Sequence, residues 1–278
     1  VIFSFIYINE IKTIMIMARN KKHENDKFYT KEEIAIKLID LLNINEYCLV
    51  IEPSAGNGSF SKNINHENLI SLDIDPEDES ISKMNWFDFT YEKKGKVLVI
   101  GNPPFGNQGS LAFGFIKKCD DLCVDTIAFI LPKSFKKDTY KNKIPEYYHL
   151  SKEIDLDDNS YTLLNNNYSV PSVFQIWNRH KDKRQRVNLK TKSNLIEFVK
   201  KQDNPDYSFR RVGYYAGRIY SDFDSKSEQS HYFIKSTDRI REFLEKYEWE
   251  HNNTSGPRSI GKSEIIKIIE LYDQSEKN

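Results

Sequence analysis

Three cysteines, Cys48, Cys119 and Cys123, are too few for a disulfide framework and form no C-x-x-C pair. Cys119 and Cys123 fall four residues apart on a predicted helix, where they serve as small apolar packing groups, so a reducing compartment, cytoplasmic or nuclear, is expected. Six scattered histidines show no ligand spacing, and no metal site is predicted. Net charge is missing as well. The 41 basic and 41 acidic side chains cancel, so only their local distribution can point to a partner. No internal repeat is present. The longest apolar stretch, Val1 to Ala18, is interrupted by Glu10 and Lys12, lacks a basic segment ahead of it and is short for a bilayer, so no membrane association is expected. It reads as a translated upstream extension with Met15 or Met17 as the natural start, or else as an ordered helix, and residues 1–26 together form a leader.

What the chain does have is material for one sizeable core and a smaller second unit: 278 residues, 38% hydrophobic and 13% aromatic. From Phe28 to Asn178 short apolar runs alternate with helical patterns, the signature of a parallel sheet covered by helices. A helix is predicted over Lys31 to Leu42 with Thr30 as its N-cap, and another over Ser110 to Leu122. Strands are predicted at Tyr47 to Glu52, Leu69 to Asp73, Val97 to Gly101 and Thr126 to Leu131. Tyr148 to Leu156 and Val173 to Asn178 close the sheet as a hairpin pair around an Asn-rich loop, Asp157 to Pro171, and a weaker strand near Asn85 to Phe87 brings the total to seven. Further on, Tyr207 to Tyr220 reads as a hairpin, Tyr232 to Lys235 as a strand, and Thr237 to Tyr247 and Ser263 to Tyr272 as helices.

The apolar run ending in Gly101 is followed by Asn102-Pro103-Pro104-Phe105. Prolines cannot continue a ladder, so this tetrapeptide forms a rigid loop at the C-terminal edge of the sheet, where open α/β folds place their chemistry. Three other strand ends carry suitable groups. Glu52-Pro53-Ser54-Ala55-Gly56-Asn57-Gly58 follows the first strand, with glycines that admit a sharp turn or a close ligand and a carboxylate suited to an amino group. Taken alone, that pattern is equally a plain strand-to-helix turn. Asp73-Ile74-Asp75 closes the second strand, placing Asp73 to accept hydrogen bonds from ribose hydroxyls. Asp88 and Phe89 close the weaker segment, offering a carboxylate to an exocyclic amine and a ring to a purine face. In the Asn-Pro-Pro-Phe loop itself, the Asn102 side-chain oxygen and the Pro103 carbonyl can accept both hydrogens of a conjugated amine, while Phe105 stacks on its ring.

In this order these motifs resemble the N6-adenine DNA methyltransferases, in the subgroup with the cofactor motif ahead of the catalytic motif. The resemblance covers about Lys27 to Asn178. It implies a Rossmann-like class I methyltransferase fold, a seven-stranded mostly parallel sheet in residues 27–180, with S-adenosylmethionine as cofactor and DNA as the preferred nucleic-acid partner. Phe28-Tyr29-Thr30 is similar to the element that contacts the methionine part of the cofactor. The resemblance likewise implies cofactor contacts from Glu52, Pro53, Ala55, Gly56, Gly58, Asp73, Ile74, Asp88 and Phe89, and catalysis by Asn102, Pro103, Pro104 and Phe105. Restriction–modification is the setting it suggests. RNA adenine, a protein glutamine amide, and a silent nucleic-acid-binding subunit are the alternatives; the glutamine enzymes usually carry Tyr where this chain has Phe105.

Residues 181–278 carry no assignable motif and read as a basic α+β region suited to target recognition. Between Arg179 and Arg218 stand twelve Arg or Lys and four Asp or Glu, with Arg210, Arg211 and Arg218 interleaved among tyrosines. This is either a nucleic-acid contact or a solvated linker. Lys133, Lys136, Lys137, Lys141 and Lys143 either meet phosphates or line a solvated helix. Gly256 to Ser263 matches the P-loop pattern by letter, but polar residues precede it where a buried strand is required, so it is read as the capped start of the last helix.

Overall fold

The computed structural model describes residues 29–157, 160–163, 166–168, 170–251, 253–254 and 256–277. The expected leader, 1–26, lies outside them. A two-residue strand, β1 (Tyr29–Thr30), leads to helix α1 (Glu32–Ile39). Strands β2 (Leu49–Glu52), β3 (Leu69–Asp73), β4 (Ser82–Lys83) and β5 (Val97–Gly101) follow, then α2 (Ser110–Asp121) and β6 (Thr126–Pro132). A single helical turn, α3 (Asp138–Lys141), precedes β7 (Tyr148–Asp155), the short strands β8 (Tyr161–Leu163) and β9 (Asn166–Tyr168), and β10 (Ser172–Arg179). The chain ends with β11 (Ile196–Val199), β12 (Tyr207–Arg210), β13 (Ile219–Tyr220), β14 (His231–Ser236), α4 (Asp238–Lys246) and α5 (Lys262–Ser275).

The described chain divides into two compact units, residues up to 132 with 143–185, and 133–142 with those from 186 onward. The first holds a seven-stranded sheet in the order β4-β3-β2-β5-β6-β10-β7. Its neighbours are parallel except at β10, which runs antiparallel to both β6 and β7. This is the strand order of the class I methyltransferase fold. Every residue of β5 and β6 is buried, as expected for central strands covered on both faces. Leu98, Ile100, Ala128 and Ile130 share one cluster with Ala35, Leu38 and Ile39 of α1, and α2 packs against β6. The order reverses between β2 and β5, and at such a switch point the strand ends diverge to leave a crevice.

The second unit contains an antiparallel sheet in the order β11-β14-β12-β13. Tyr207, Phe209 and Ile234 from its strands form a core with Ile240 and Leu244 of α4 and Ile265, Ile266 and Ile269 of α5.

Several local expectations are corrected. Thr30 is a strand residue, and Lys31 occupies the N-cap position of α1 without a side-chain cap, with Glu32 and Glu33 complementing the helix dipole. Asn85 to Phe87 is not a strand. The Asn85 Oδ1 accepts the Phe87 N–H at 3.1 Å and starts a 3₁₀ turn at Trp86–Asp88, so the seventh strand is β4, just upstream. The Asn-rich loop contains β8 and β9, which form a small sheet with β1. β11 gave no pattern that the sequence reading caught. At the P-loop look-alike, Lys262 lies over the rings of Phe198 and Tyr232 at 4.7 and 5.5 Å, and Ser259 makes only an isolated bridge to Val212. Lys137 is not on a solvated face: its buried ammonium donates to the Ser259 carbonyl at 2.6 Å and pairs with Glu264 at 3.1 Å.

Buried Tyr148 at the start of β7 ties the sheet to the end of α2. Its hydroxyl donates to the Val124 carbonyl at 2.7 Å, and the Arg179 guanidinium lies over its ring while pairing with Asp120 at 2.5 Å. Tyr148→Phe keeps the ring but leaves that carbonyl without its hydroxyl donor. A loss of about 1–3 kcal/mol is expected, read as a lower urea midpoint at unchanged slope.

Candidate active site

The ends of β2, β3 and β5 converge on a cavity of about 470 Å³ in the first unit. From β2 and its loop come Glu52, Pro53, Ser54, Ala55 and Gly56; from β3, Asp73, Ile74 and Asp75; from β5, the whole Asn102-Pro103-Pro104-Phe105 loop. Tyr29 and Thr30 reach the same wall from β1.

Local forces place each group. Gly56 sits at φ 55°, and a Cβ there would stand 2.9 Å from Cε1 of Tyr29, so the turn and the overlying ring both require glycine. The N–H of Gly56 donates to Asp73 Oδ2 and that of Asp75 to Asp73 Oδ1, each at 2.8 Å. Asp73 thereby ties the glycine turn to the end of β3 and keeps further lone pairs for a ligand. Tyr29 donates its hydroxyl to Glu77, and burial together with that carboxylate raises its pKa above the ordinary tyrosine range. Ser54 Oγ donates to the Asn102 carbonyl at 3.3 Å, joining the glycine loop to the Asn-Pro-Pro-Phe loop. A Cβ on Gly101 would stand 3.4 Å from the Glu52 side chain, a measure of how closely the ends of β2 and β5 approach.

Glu52 is buried, and burial raises its pKa to about 7 although the Ser61 N–H, donating at 2.9 Å, opposes the shift. Thr30 Oγ1 is buried without a hydrogen-bond partner. An unsatisfied hydroxyl at a cavity wall costs about 1–3 kcal/mol and fits a polar ligand that would complete it. Ile74 is the opposite case. It is apolar yet 61% exposed, and it supplies a surface that a flat ring would cover.

The charge of this lining restricts what it can hold. Glu52, Asp73 and Asp75 are present, and no Lys, Arg or His is among the residues that form the cavity. The glycine loop leads into a 3₁₀ turn, Ser61–Asn63, and not into an α-helix. A pyrophosphate therefore finds neither the positive charge nor the helix N-terminus that dinucleotide sites supply. A ligand bearing positive charge suits the site. Among the described residues no group of three His, Cys, Asp or Glu could hold a metal ion, and no helix is long and apolar enough to cross a membrane.

Not every expected residue lies on the wall. Asp88 is exposed and Phe89 is buried, stacked on Trp86 at 5.6 Å. The 3₁₀ turn rotates both away, and Asn85, Trp86 and Phe87 line the cavity in their place. Gly58, at φ 83°, shapes the turn without lining it. Leu111 and Phe115 of α2, and Tyr161 and Val170 beyond β7, are lining residues that the sequence reading missed. The signal for Leu111 was Gly106, where a Cβ would meet its Cγ at 2.8 Å; Tyr161 and Val170 lay in a stretch read as loop.

Of the residues expected at nucleic acid, Lys133 lies in the turn after β6. In the second unit, Arg210 donates to the Val212 carbonyl at 2.8 Å and to Ser230 Oγ at 3.3 Å, and Arg211 donates to the Gln229 carbonyl at 2.8 Å. Both guanidinium groups are committed to their own chain. Arg218 lies over the Tyr215 ring at 4.2 Å.

No family model matches the chain, and no curated protein matches it. Solved structures do. Among them is the crystal structure of a "putative RNA methyltransferase" from Pyrococcus horikoshii, 15% identical over 53% of this chain and 80% of that one, at a TM-score of 0.37. A Thermoplasma acidophilum structure is 18% identical over 59% of this chain and 98% of its own, at 0.38. Such distant likenesses add nothing to the reading of the site, which rests on this chain's own residues.

Glu52 generates a pH prediction. Its folded pKa of about 7 stands above the model value of 4.5. Its contribution to stability is therefore fully present below about 4.5 and is lost as pH rises to about 7. The loss is on the order of 3 kcal/mol. Urea midpoints measured at pH 4.5 and pH 8 are expected to differ accordingly, and Glu52→Gln removes this difference.

Proposed function

We propose that this chain is an S-adenosylmethionine-dependent methyltransferase acting on the N6 amino group of adenine in DNA. The observation that carries the proposal is that the glycine loop and the Asn-Pro-Pro-Phe loop share one cavity lined by carboxylates and by no basic side chain. Bound S-adenosylmethionine supplies an electrophilic methyl group on a positively charged sulfur. The residues present suit it: Glu52 for the ammonium, Thr30 Oγ1 for a polar atom of the amino-acid part, Asp73 for ribose hydroxyls and Ile74 for the flat base.

The amino group of adenine is a poor nucleophile because its lone pair is delocalised into the ring. The Asn102 side-chain oxygen and the Pro103 carbonyl accept its two N–H bonds, which favours a pyramidal nitrogen with its lone pair free for the methyl group. Pro103 and Pro104 stiffen the loop, and Phe105 supplies a stacking surface worth about 1–3 kcal/mol for a base. Positioning of the two reactants provides most of the rate. The nitrogen becomes acidic only after methylation, so its proton can leave to water without a strong base. An adenine within a duplex must leave the stack to enter such a site. The second unit would then help to hold the strand.

Adenine in RNA carries the same amino group, so both nucleic acids belong in the assay. Incubation with labelled S-adenosylmethionine and DNA or RNA, followed by nucleoside analysis, should give N6-methyladenine from DNA. Asn102→Ala should lower turnover at least 100-fold while leaving cofactor affinity within about threefold. Undiminished methylation by that variant would remove the catalytic assignment, and label recovered in glutamine or only in RNA would reassign the substrate.

A further inference from the structure

The second unit has a cavity of its own, also about 470 Å³, between the β12–β13 connection and the segment after α4. Tyr214, Tyr215, Arg218, Tyr247, Trp249 and Arg258 form its walls. We infer that this cavity binds one unpaired nucleotide of a nucleic-acid strand, its base on the tyrosine rings and its phosphate on Arg218 and Arg258.

Tyr214 and Tyr215 are neighbouring large aromatics left open, 75% and 47% exposed. Their rings meet edge to face at 5.1 Å, an arrangement that presents flat surface in two directions. Isolated exposed rings need no explanation, but a contiguous pair at the mouth of a cavity marks a binding surface. Beneath them Tyr247 and Trp249 meet edge to face at 4.9 Å, and Trp249 packs so tightly on Gly217 that a Cβ there would stand 2.4 Å from Cδ1. Gly217, at φ 101°, lets the connection fold over the indole, so the floor is firm while the rim is open.

Charge decides the ligand. Arg218 lies over Tyr215 at 4.2 Å and Arg258 over Tyr214 at 5.3 Å. Among the described residues neither guanidinium has a carboxylate within ion-pair distance. Glu245, the one acidic residue of the wall, is held by Arg241 at 3.0 Å. A methylated ammonium, the usual guest of an aromatic cage, would meet two uncompensated positive charges. A phosphate would neutralise them, and a base stacks equally well on tyrosine or on a guanidinium plane. This separates Arg218 from Arg210 and Arg211, which spend their donors on the protein's own backbone.

The inference does not depend on methyl transfer and is tested without cofactor. Anisotropy of a labelled single-stranded oligonucleotide measures binding to the full chain. Tyr214→Ala is expected to weaken it about tenfold with the salt dependence unchanged. Arg218→Gln is expected to lower the slope of log K against log salt by about 0.7, a change that merely loosening the fold does not produce. A strand of the same length with every base removed should bind the wild-type chain about tenfold more weakly and should not respond to Tyr214→Ala. Equal affinity for the abasic strand, or wild-type affinity and slope in both variants, would overturn the assignment. Displacement of the strand by adenosine monophosphate at equal affinity would overturn the strand in favour of a free nucleotide. Loss of methylation in Asn102→Ala with strand binding intact keeps the two readings apart.

Discussion

The parallel pairing of β2 with β5 is the constraint on which the candidate site depends. Leu49, Val50 and Ile51 pair with Val97, Leu98 and Val99, and this register delivers both strand ends to the same edge at the same height. Only then can Ser54 bond the Asn102 carbonyl and the Glu52 side chain lie against Gly101. One residue of slip would turn the apolar faces of β5 outward, and the fully buried strands on either side forbid it. The burial that stabilises the sheet thus also fixes the positions of the polar groups at its edge.

Those groups are maintained at some cost. Glu52 is kept buried on a central strand end, where its charged form is disfavoured, and Thr30 Oγ1 is kept without a partner. Neither helps the unliganded chain, and each becomes favourable when a cationic, hydrogen-bonding guest is present. A fold that stores two such unmet demands in one cavity is better adapted to a ligand than to its own stability.

How much of this was legible in the sequence depended on the kind of signal. β3 and β5 were predicted to the residue, because continuous apolar runs bounded by Asp, Gly and Pro leave little freedom. The Asn-Pro-Pro-Phe loop was legible for the same reason. Thr30 was misread as a cap because local propensity favours Thr there, whereas a pairing with Tyr161, more than a hundred residues away, holds it in a strand. The same distance hid Tyr161 as a cavity residue. Asp88 and Phe89 were misjudged for a local reason: a single Asn side chain closing on Phe87 N–H converts extended chain into a turn and exchanges the residues that face inward.

The even total of charges conceals a division of labour. The first unit lines its cavity with carboxylates and no bases, while the second lines its own with two arginines and a single carboxylate already paired. A polyanionic strand is repelled by the first lining and attracted by the second, so the strand alone has no electrostatic reason to enter the glycine-loop cavity. A cationic guest there would reverse the local sign. On this argument the order of events is set by charge: the positively charged cofactor is needed first, and only the neutral face of a base, presented without its phosphates, can follow it in.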